Sequence, residues 1–214
     1  MADQAAIEKI VANLHWLGHD CFRLDRPQGP IYWDPYRIAG GPTASLILIT
    51  HDHYDHCSPE DVAKIQGPET VILAEADAAE KLTGKVAAMV PGKTGRVGDV
   101  DVVAVPAYNL GKDFHPKNNL WLGYVIKVDG VSIYHAGDSD YIPEMDKLIV
   151  DIALLPVSGT YVMTAEEAAQ AAMAIGPKLA IPMHYGAIVG DETDALRFAK
   201  ELDGVIPVRV LPKE

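Results

Sequence analysis

Short apolar runs alternate with turn-forming clusters along most of the chain, the pattern of many strands interleaved with helices. Runs at 14–17, 21–24 and 31–33, punctuated by Gly18-His19-Asp20 and Pro27-Gln28-Gly29-Pro30, predict three strands joined by turns. Ahead of them, residues 2–12 predict a helix with Ile7, Ile10 and Val11 on one side. The unbroken apolar stretch Leu46-Ile47-Leu48-Ile49 predicts an interior strand, apolar on both faces. Ser58-Pro59-Glu60-Asp61 then opens a helix to about residue 65: serine caps, proline tolerates the first helical position, and acids suit the positive end of the helix dipole. Further strands are predicted at 71–73, 86–90, 100–105, 121–128, 131–134, 151–157, 179–181 and 208–211. Helices are predicted at 74–82 and 191–202, and from the capping-box spacing Thr164-Ala165-Glu166-Glu167 to Ile175. Asp129-Gly130 marks a two-residue hairpin of type I′. No linker or internal repeat divides the pattern, so residues 1–214 read as one α/β (α+β) domain.

Composition narrows the partners. With 214 residues, 49% of them hydrophobic, the chain is long and apolar enough to bury a substantial core. A formal charge of −12 and the absence of a basic run argue against a nucleic-acid groove and against an anionic membrane surface. No stretch approaches the roughly 20 apolar residues of a membrane span. The N-terminal Met1-Ala2-Asp3-Gln4 lacks the basic and apolar regions of a signal peptide. Cys21 and Cys57 read as free thiols in a cytoplasmic protein; Cys57, beside His56, reads first as a small buried hydrophobe and second as a redox-sensitive neighbour.

The chemistry is concentrated in Thr50-His51-Asp52-His53-Tyr54-Asp55-His56, a loop between the interior strand and the serine-capped helix. His51 and His53 stand two apart, so an extended backbone projects both to one side, where their imidazoles can grip a divalent ion. Asp55 and His56 follow where the chain turns and suit a neighbouring ion. Imidazole with a carboxylate favours zinc, with manganese, iron or nickel as alternatives. Such a density of ligand-type side chains is costly unless a cation neutralises it.

His51-x-His53-x-Asp55-His56 resembles the signature of the metallo-β-lactamase superfamily of metal-dependent hydrolases. Two later segments are similar to that family's remaining metal motifs: Tyr134-His135-Ala136-Gly137-Asp138, whose Asp138 matches a metal-bridging aspartate, and Ile181-Pro182-Met183-His184, whose His184 matches the last ligand. Trp16-Leu17-Gly18-His19 and Trp33-Asp34-Pro35 resemble the branch that includes ascorbate-6-phosphate lactonase-like and uncharacterised zinc-dependent hydrolases. The resemblance implies a four-layer αββα sandwich with its ligands in strand-end loops at one rim. It also implies a third ligand of the first metal just after the strand at 100–105. Asn109 occupies that place, and the nearest imidazole is His115; an amide oxygen is a poor partner for zinc, so His115 is the expected ligand.

The expected site therefore has His51, His53 and His115 on one metal, Asp55, His56 and His184 on the other, and Asp138 between them. Two divalent ions would share a hydroxide by lowering the pKa of water from about 16 toward 7, for attack on a lactone, amide or phosphodiester in a small molecule. Asp55, Asp138 and His184 carry the expected catalytic roles, Asp55 by orienting the nucleophile or delivering a proton. His19 and Tyr161 are candidate substrate contacts, with a plain turn histidine and an exposed loop tyrosine as the ordinary readings. Asp34 reads as an anchor behind the histidine loop or as a turn aspartate, Asp140 as orienting a ligand, and His135 as packed. No Gly-x-Ser-x-Gly motif competes. Two further classes stand beside hydrolysis: an iron-dependent oxidoreductase on the same scaffold, and a metal-binding protein without turnover. A homo-oligomer stays open, since a second subunit can cover an apolar groove at the rim.

Overall fold

The computed structural model describes residues 2–214, and its twelve strands form two six-stranded sheets. The first sheet takes β1 (Leu14–Gly18), β2 (Cys21–Leu24), β3 (Ile31–Trp33), β4 (Leu46–Ile49), β5 (Val71–Glu75) and β6 (Lys85–Met89) in sequence order. It is antiparallel from β1 to β3 and parallel from β3 to β6. The second sheet runs β12 (Leu179–Met183), β11 (Ile152–Pro156), β10 (Val131–His135), β9 (Leu122–Val128), β8 (Val100–Pro106) and β7 (Thr94–Val97). There β10, β11 and β12 are parallel and the rest antiparallel.

Strand β4 shows why an unbroken apolar run belongs in the interior. Leu46 and Leu48 join the core between the sheets, while Ile47 and Ile49 join a second cluster with Val62, Ile65 and Ala78. The helices α2 (Pro59–Ile65) and α3 (Ala76–Glu80) thus cover the outer face of the first sheet. Helices α4 (Ala165–Ile175) and α5 (Glu192–Glu201) pack on β11 and β12, completing an αββα order, and α1 (Gln4–Val11) touches both β1 and β10. Ser58 caps α2 by accepting from Asp61 N, and Thr164 and Glu167 form the capping box of α4. Asp129 and Gly130 have φ of 50° and 80°, as a type I′ hairpin requires.

Three expectations need correction. The predicted helix at 74–82 begins only at Ala76, because β5 runs on to Glu75, whose carboxylate caps the helix instead. Thr94–Val97 is a strand that the pattern did not predict: a half-exposed edge containing Gly95 and Arg96 carries little apolar signal. The predicted strand at 208–211 reduces to an isolated bridge between Val208 and Ala180; Pro207 and Pro212 bracket the segment without donors. Among the described residues no helix is long and apolar enough to cross a membrane.

Candidate metal centre

The loops that follow β3, β4, β8, β10, β11 and β12 gather at one rim, and the turn joining β1 to β2 meets them there. His51, His53 and His115 form one compact group, His19, His56 and His184 another, and His51, His56 and Asp138 a third. Within each group the potential ligand atoms lie within 4.8 Å of one another. Asp138 stands in the middle: Oδ1 is 3.3 Å from His56 Nε2, and Oδ2 is 3.3 Å from His115 Nε2 and 3.2 Å from His184 Nε2. Six of the seven expected ligands are therefore drawn together. The seventh, Asp55, lies at the edge, with Oδ2 3.8 Å from His56 Nε2 and 3.0 Å from His19 Nε2.

Buried partners behind the imidazoles decide which nitrogen faces inward. Asp34 accepts from Thr50 N at 2.8 Å, Thr50 Oγ1 at 2.6 Å and His56 Nδ1 at 2.9 Å. A carboxylate only accepts, so the His56 hydrogen belongs on Nδ1 and Nε2 turns toward Asp138. Thr50 Oγ1, having given its hydrogen to Asp34, accepts from His51 Nδ1 at 2.9 Å and leaves His51 Nε2 facing the cluster. Asn109 Oδ1 accepts from His115 Nδ1, while the Asn109 amide donates to Asp140 Oδ1 and the Tyr161 carbonyl. His115 thus comes to the cluster and Asn109 stands behind it. Asp140 acts at one further remove, through Asn109, Leu110 N and Lys112.

Sequence reasoning missed several contributors. Ser158 Oγ lies 2.8 Å from His184 Nδ1. Trp121 packs against the rings of His51, His53 and His115, at centroid distances of 4.9, 4.6 and 5.1 Å. His19 packs its ring 4.1 Å from that of His184, and its backbone carbonyl accepts from His184 N. Their sequence separations leave no local motif to find. The Gly18-His19 turn, by contrast, is legible in the sequence with His19 as a candidate site residue, and it forms with positive φ at both positions. His135 is packed as expected: its ring lies parallel to Trp33, and Nε2 donates to the Asp20 carbonyl.

Electrostatics follow burial and pairing. Burial lowers His51 well below the ordinary imidazole range and lowers His53, with neighbouring imidazoles acting in the same direction. His56 moves the other way: burial opposes its charge, but Asp138 and Asp34 outweigh burial. Asp138 is held well below the ordinary carboxylate range, because His184, His56 and His115 overcome the cost of burying it. Burial works against the Asp55 charge too, yet the His19 hydrogen bond and His56 bring it to about 2.

The donor set fits divalent cations. His56 Nε2, His115 Nε2 and Asp138 Oδ1 are buried, converge, and have no hydrogen-bond partner among the described residues. Buried polar atoms are rarely left so, and cations held at the His115 and His56 sides of Asp138 would satisfy all three. Beside them opens a cleft of about 420 Å³, walled by Tyr54, Asp55, Asp113, Phe114, Tyr161 and Ile188, with His53, His115 and Asp138 at its base. Tyr161 meets Phe114 edge-to-face at 4.8 Å.

A two-sheet sandwich with a His/Asp cluster at one rim defines a metal-dependent hydrolase of the metallo-β-lactamase superfamily. The chain belongs to that superfamily: residues 13–184 match the β-lactamase superfamily domain. It is similar to a UPF0173 metal-dependent hydrolase of Pyrococcus furiosus, 34% identical over 194 residues, which span 82% of this chain and 85% of that protein. A solved structure from Parabacteroides distasonis, assigned as a metal-dependent hydrolase, superposes with a TM-score of 0.84 at 34% identity, covering 94% of this chain and 93% of that one. Igni18, a metallo hydrolase of Ignicoccus hospitalis, shares the fold with a TM-score of 0.76 at 24% identity, over 94% of this chain and 95% of its own.

Proposed function

We propose that this chain is a two-cation hydrolase of small, uncharged carbonyl substrates, with lactones, esters and amides ahead of phosphodiesters. The observation that carries the reading is the convergence of buried, unpartnered His56 Nε2, His115 Nε2 and Asp138 Oδ1. His51, His53 and His115 would hold one ion, His56 and His184 the other, and Asp138 would reach both. Zinc suits this set first, with manganese, iron or nickel next. When bound, such ions supply an activated water at neutral pH and polarise the electrophile's oxygen.

The chain's own residues do the rest. Asp34, Thr50, Asn109 and Ser158 fix the imidazole orientations, so little reorganisation is left for the reaction. Trp121 closes one side of the histidine cluster against water. Asp55 lines the cleft as an ionised carboxylate, suited to accept a hydrogen bond from the attacking water and orient it. Phe114, Tyr161, Tyr54 and Ile188 offer apolar contact to a substrate. Asp55 and Asp113 set negative charge at the cleft wall and no lysine or arginine lines it among the described residues, so an anion would be drawn only by the cations at its base. Lys112, close by in sequence, is engaged by Asp140 and the Val162 carbonyl. We place the protein in the cytoplasm, where its two free, buried cysteines accord with a reducing compartment.

The test is elemental analysis of protein purified without added metal, alongside hydrolysis of neutral aryl esters, lactones and amides and an anionic phosphodiester. The reading expects two divalent ions per chain and faster turnover of the neutral carbonyl compounds. His184→Ala should abolish turnover and halve the metal content. Metal with no turnover across the panel would overturn the hydrolase reading, and preference for the phosphodiester would overturn the substrate class.

A further inference from the structure

The apolar walls of the cleft come from four separate loops. Tyr54 follows β4, Phe114 follows β8, Tyr161 follows β11 and Ile188 follows β12, while His53, His115 and Asp138 form the base. Phe114 is 49% exposed and Tyr54 67%, large apolar surfaces left open beside a buried polar centre. Single exposed rings are ordinary on a protein surface; rings gathered around a concave, chemically equipped floor mark the place of a ligand. Three of those four walls are aromatic, and the charges beside them, Asp55 and Asp113, are carboxylates.

These walls are held in place before a ligand arrives. Asn109 N donates to the His115 carbonyl and His115 N to Asn109 Oδ1, which leaves residues 110–114 as a closed lobe with Phe114 next to His115. In that lobe Lys112 Nζ donates to Asp140 Oδ1 at 2.6 Å and to the Val162 carbonyl at 2.7 Å, and the Asn109 amide donates to the Tyr161 carbonyl at 2.9 Å. The lobe is thus tied to the loop that carries Tyr161, and the Phe114 and Tyr161 rings meet at 87° with centroids 4.8 Å apart. Gly186 N donates to the Gly190 carbonyl, both glycines with positive φ, folding a second lobe whose Ile188 completes the wall. A wall fixed in this way loses little freedom on receiving a rigid partner. A flat ring suits it, because its face takes the edge of a wall ring and its positive edge suits the carboxylates. About 420 Å³ is the room a small molecule needs.

We propose that the substrate carries an aromatic ring beside its scissile carbonyl, and that Phe114 and Tyr161 bind this ring, with Ile188 and Tyr54 flanking it. This rests on the reading of the cluster as a hydrolytic centre and names the kind of neutral substrate it takes. The ring is the recognition group: once it is seated against Phe114, the carbonyl next to it lies toward His115 and Asp138 at the base. A carbonyl compound without a ring reaches the base without being held there. Phe114 is the residue on which the selectivity falls, and leucine in its place keeps apolar volume while removing the ring.

The experiment uses the zinc-loaded full chain, wild type and Phe114→Leu, in two arms. In the first, hydrolysis of methyl phenylacetate, methyl cyclohexylacetate and methyl acetate is followed by pH-stat titration. Wild type should take the phenyl ester with a kcat/KM about tenfold or more above the acetate and about threefold above the cyclohexyl ester, the difference lying in KM. Phe114→Leu should bring the phenyl and cyclohexyl esters level while holding as much zinc as wild type. In the second arm, saturation-transfer NMR compares phenylethanol with cyclohexylethanol, which bind without being hydrolysed. The phenyl alcohol should bind more tightly to wild type and lose that advantage in the variant. The proposal is overturned if the ring confers no advantage in either arm, or if Phe114→Leu keeps the preference. It is also overturned if wild type sediments as a dimer and Phe114→Leu as a monomer, which would give the aromatic walls to a second copy. Ring-dependent binding with no ester turned over would sustain the ring assignment and overturn the hydrolase reading instead.

Discussion

Asn109 Oδ1 lies 3.1 Å from the backbone nitrogen of His115 and 3.2 Å from its Nδ1, so one amide oxygen receives both donors of a single residue. The backbone returns the contact, Asn109 N donating to the His115 carbonyl at 2.7 Å. The loop between them is closed on itself, and the imidazole can present only Nε2 to the cluster. Asn109→Ala should therefore weaken binding of the first cation by about 10–100-fold, the usual effect of losing such a partner. Asn109→Asp keeps the acceptor for His115 but loses the donor to Asp140 and the Tyr161 carbonyl, so it should recover part of the affinity. Zinc titration of the stripped protein checks both, and equal losses in the two variants would contradict the orienting role.

Asp34 joins the backbone, the hydroxyl of Thr50 and the ring of His56 in one buried place. Asp34→Ala leaves all three donors without a partner and should cost about 3 kcal/mol or more in denaturant unfolding of the metal-free chain. Asp34→Asn keeps an acceptor for one or two of them and should cost less. It should also weaken metal binding, since the His56 tautomer is no longer fixed.

Gly137 has φ of +59°, and a Cβ there would stand 2.7 Å from the Leu122 carbonyl oxygen and 3.1 Å from the side chain of Thr50. Both obstacles are hard to move: one is backbone, and the other is the residue locked to Asp34. Gly137→Ala should destabilise the protein by about 1–3 kcal/mol and displace the neighbouring Asp138. Unfolding midpoint and metal content measured on the same sample should fall together.

Asp61 accepts from Arg37 N, Ile38 N and Lys64 Nζ at 2.9, 3.2 and 2.8 Å. Burial raises its pKa, but the hydrogen bonds from Lys64, Ser58 and Arg37 prevail and hold it below the ordinary carboxylate value. A folded-state pKa below the unfolded one contributes stability that is present above the unfolded pKa and lost as pH falls through the folded pKa. The stability gap between wild type and Asp61→Asn should therefore be widest near neutrality and shrink as pH drops below about 4. Urea unfolding of both proteins from pH 7 to pH 3 measures it; a gap that widens in acid would be the wrong sign.

Local chemistry made much of this molecule readable in advance. The strand at Leu46, the cap at Ser58, the box at Thr164 and the turn at Asp129 each depend on neighbours in sequence, and each formed as expected. Periodicity also placed His51, His53 and His56 in a strand-end loop, and the family resemblance supplied Asp138 and His184. What stayed hidden depends on partners distant in the chain. Ser158 meets His184 across 26 positions, Trp121 reaches back to His51, and nothing around Asp20 announces that its carboxylate turns inward. Thr94–Val97 escaped for the opposite reason: an edge with Gly95 and Arg96 buries too little to leave an apolar rhythm.

Three histidines of the cluster leave the end of β4 in the first sheet, whereas Asp138 and His184 leave β10 and β12 in the second. Each compact ligand group draws on both sheets, so a bound ion would work as a rivet across the crease between them. Chelation should accordingly loosen that crease before either sheet frays, and amide exchange should report it first where Leu122 N donates to the Thr50 carbonyl, at the meeting of β9 and the end of β4.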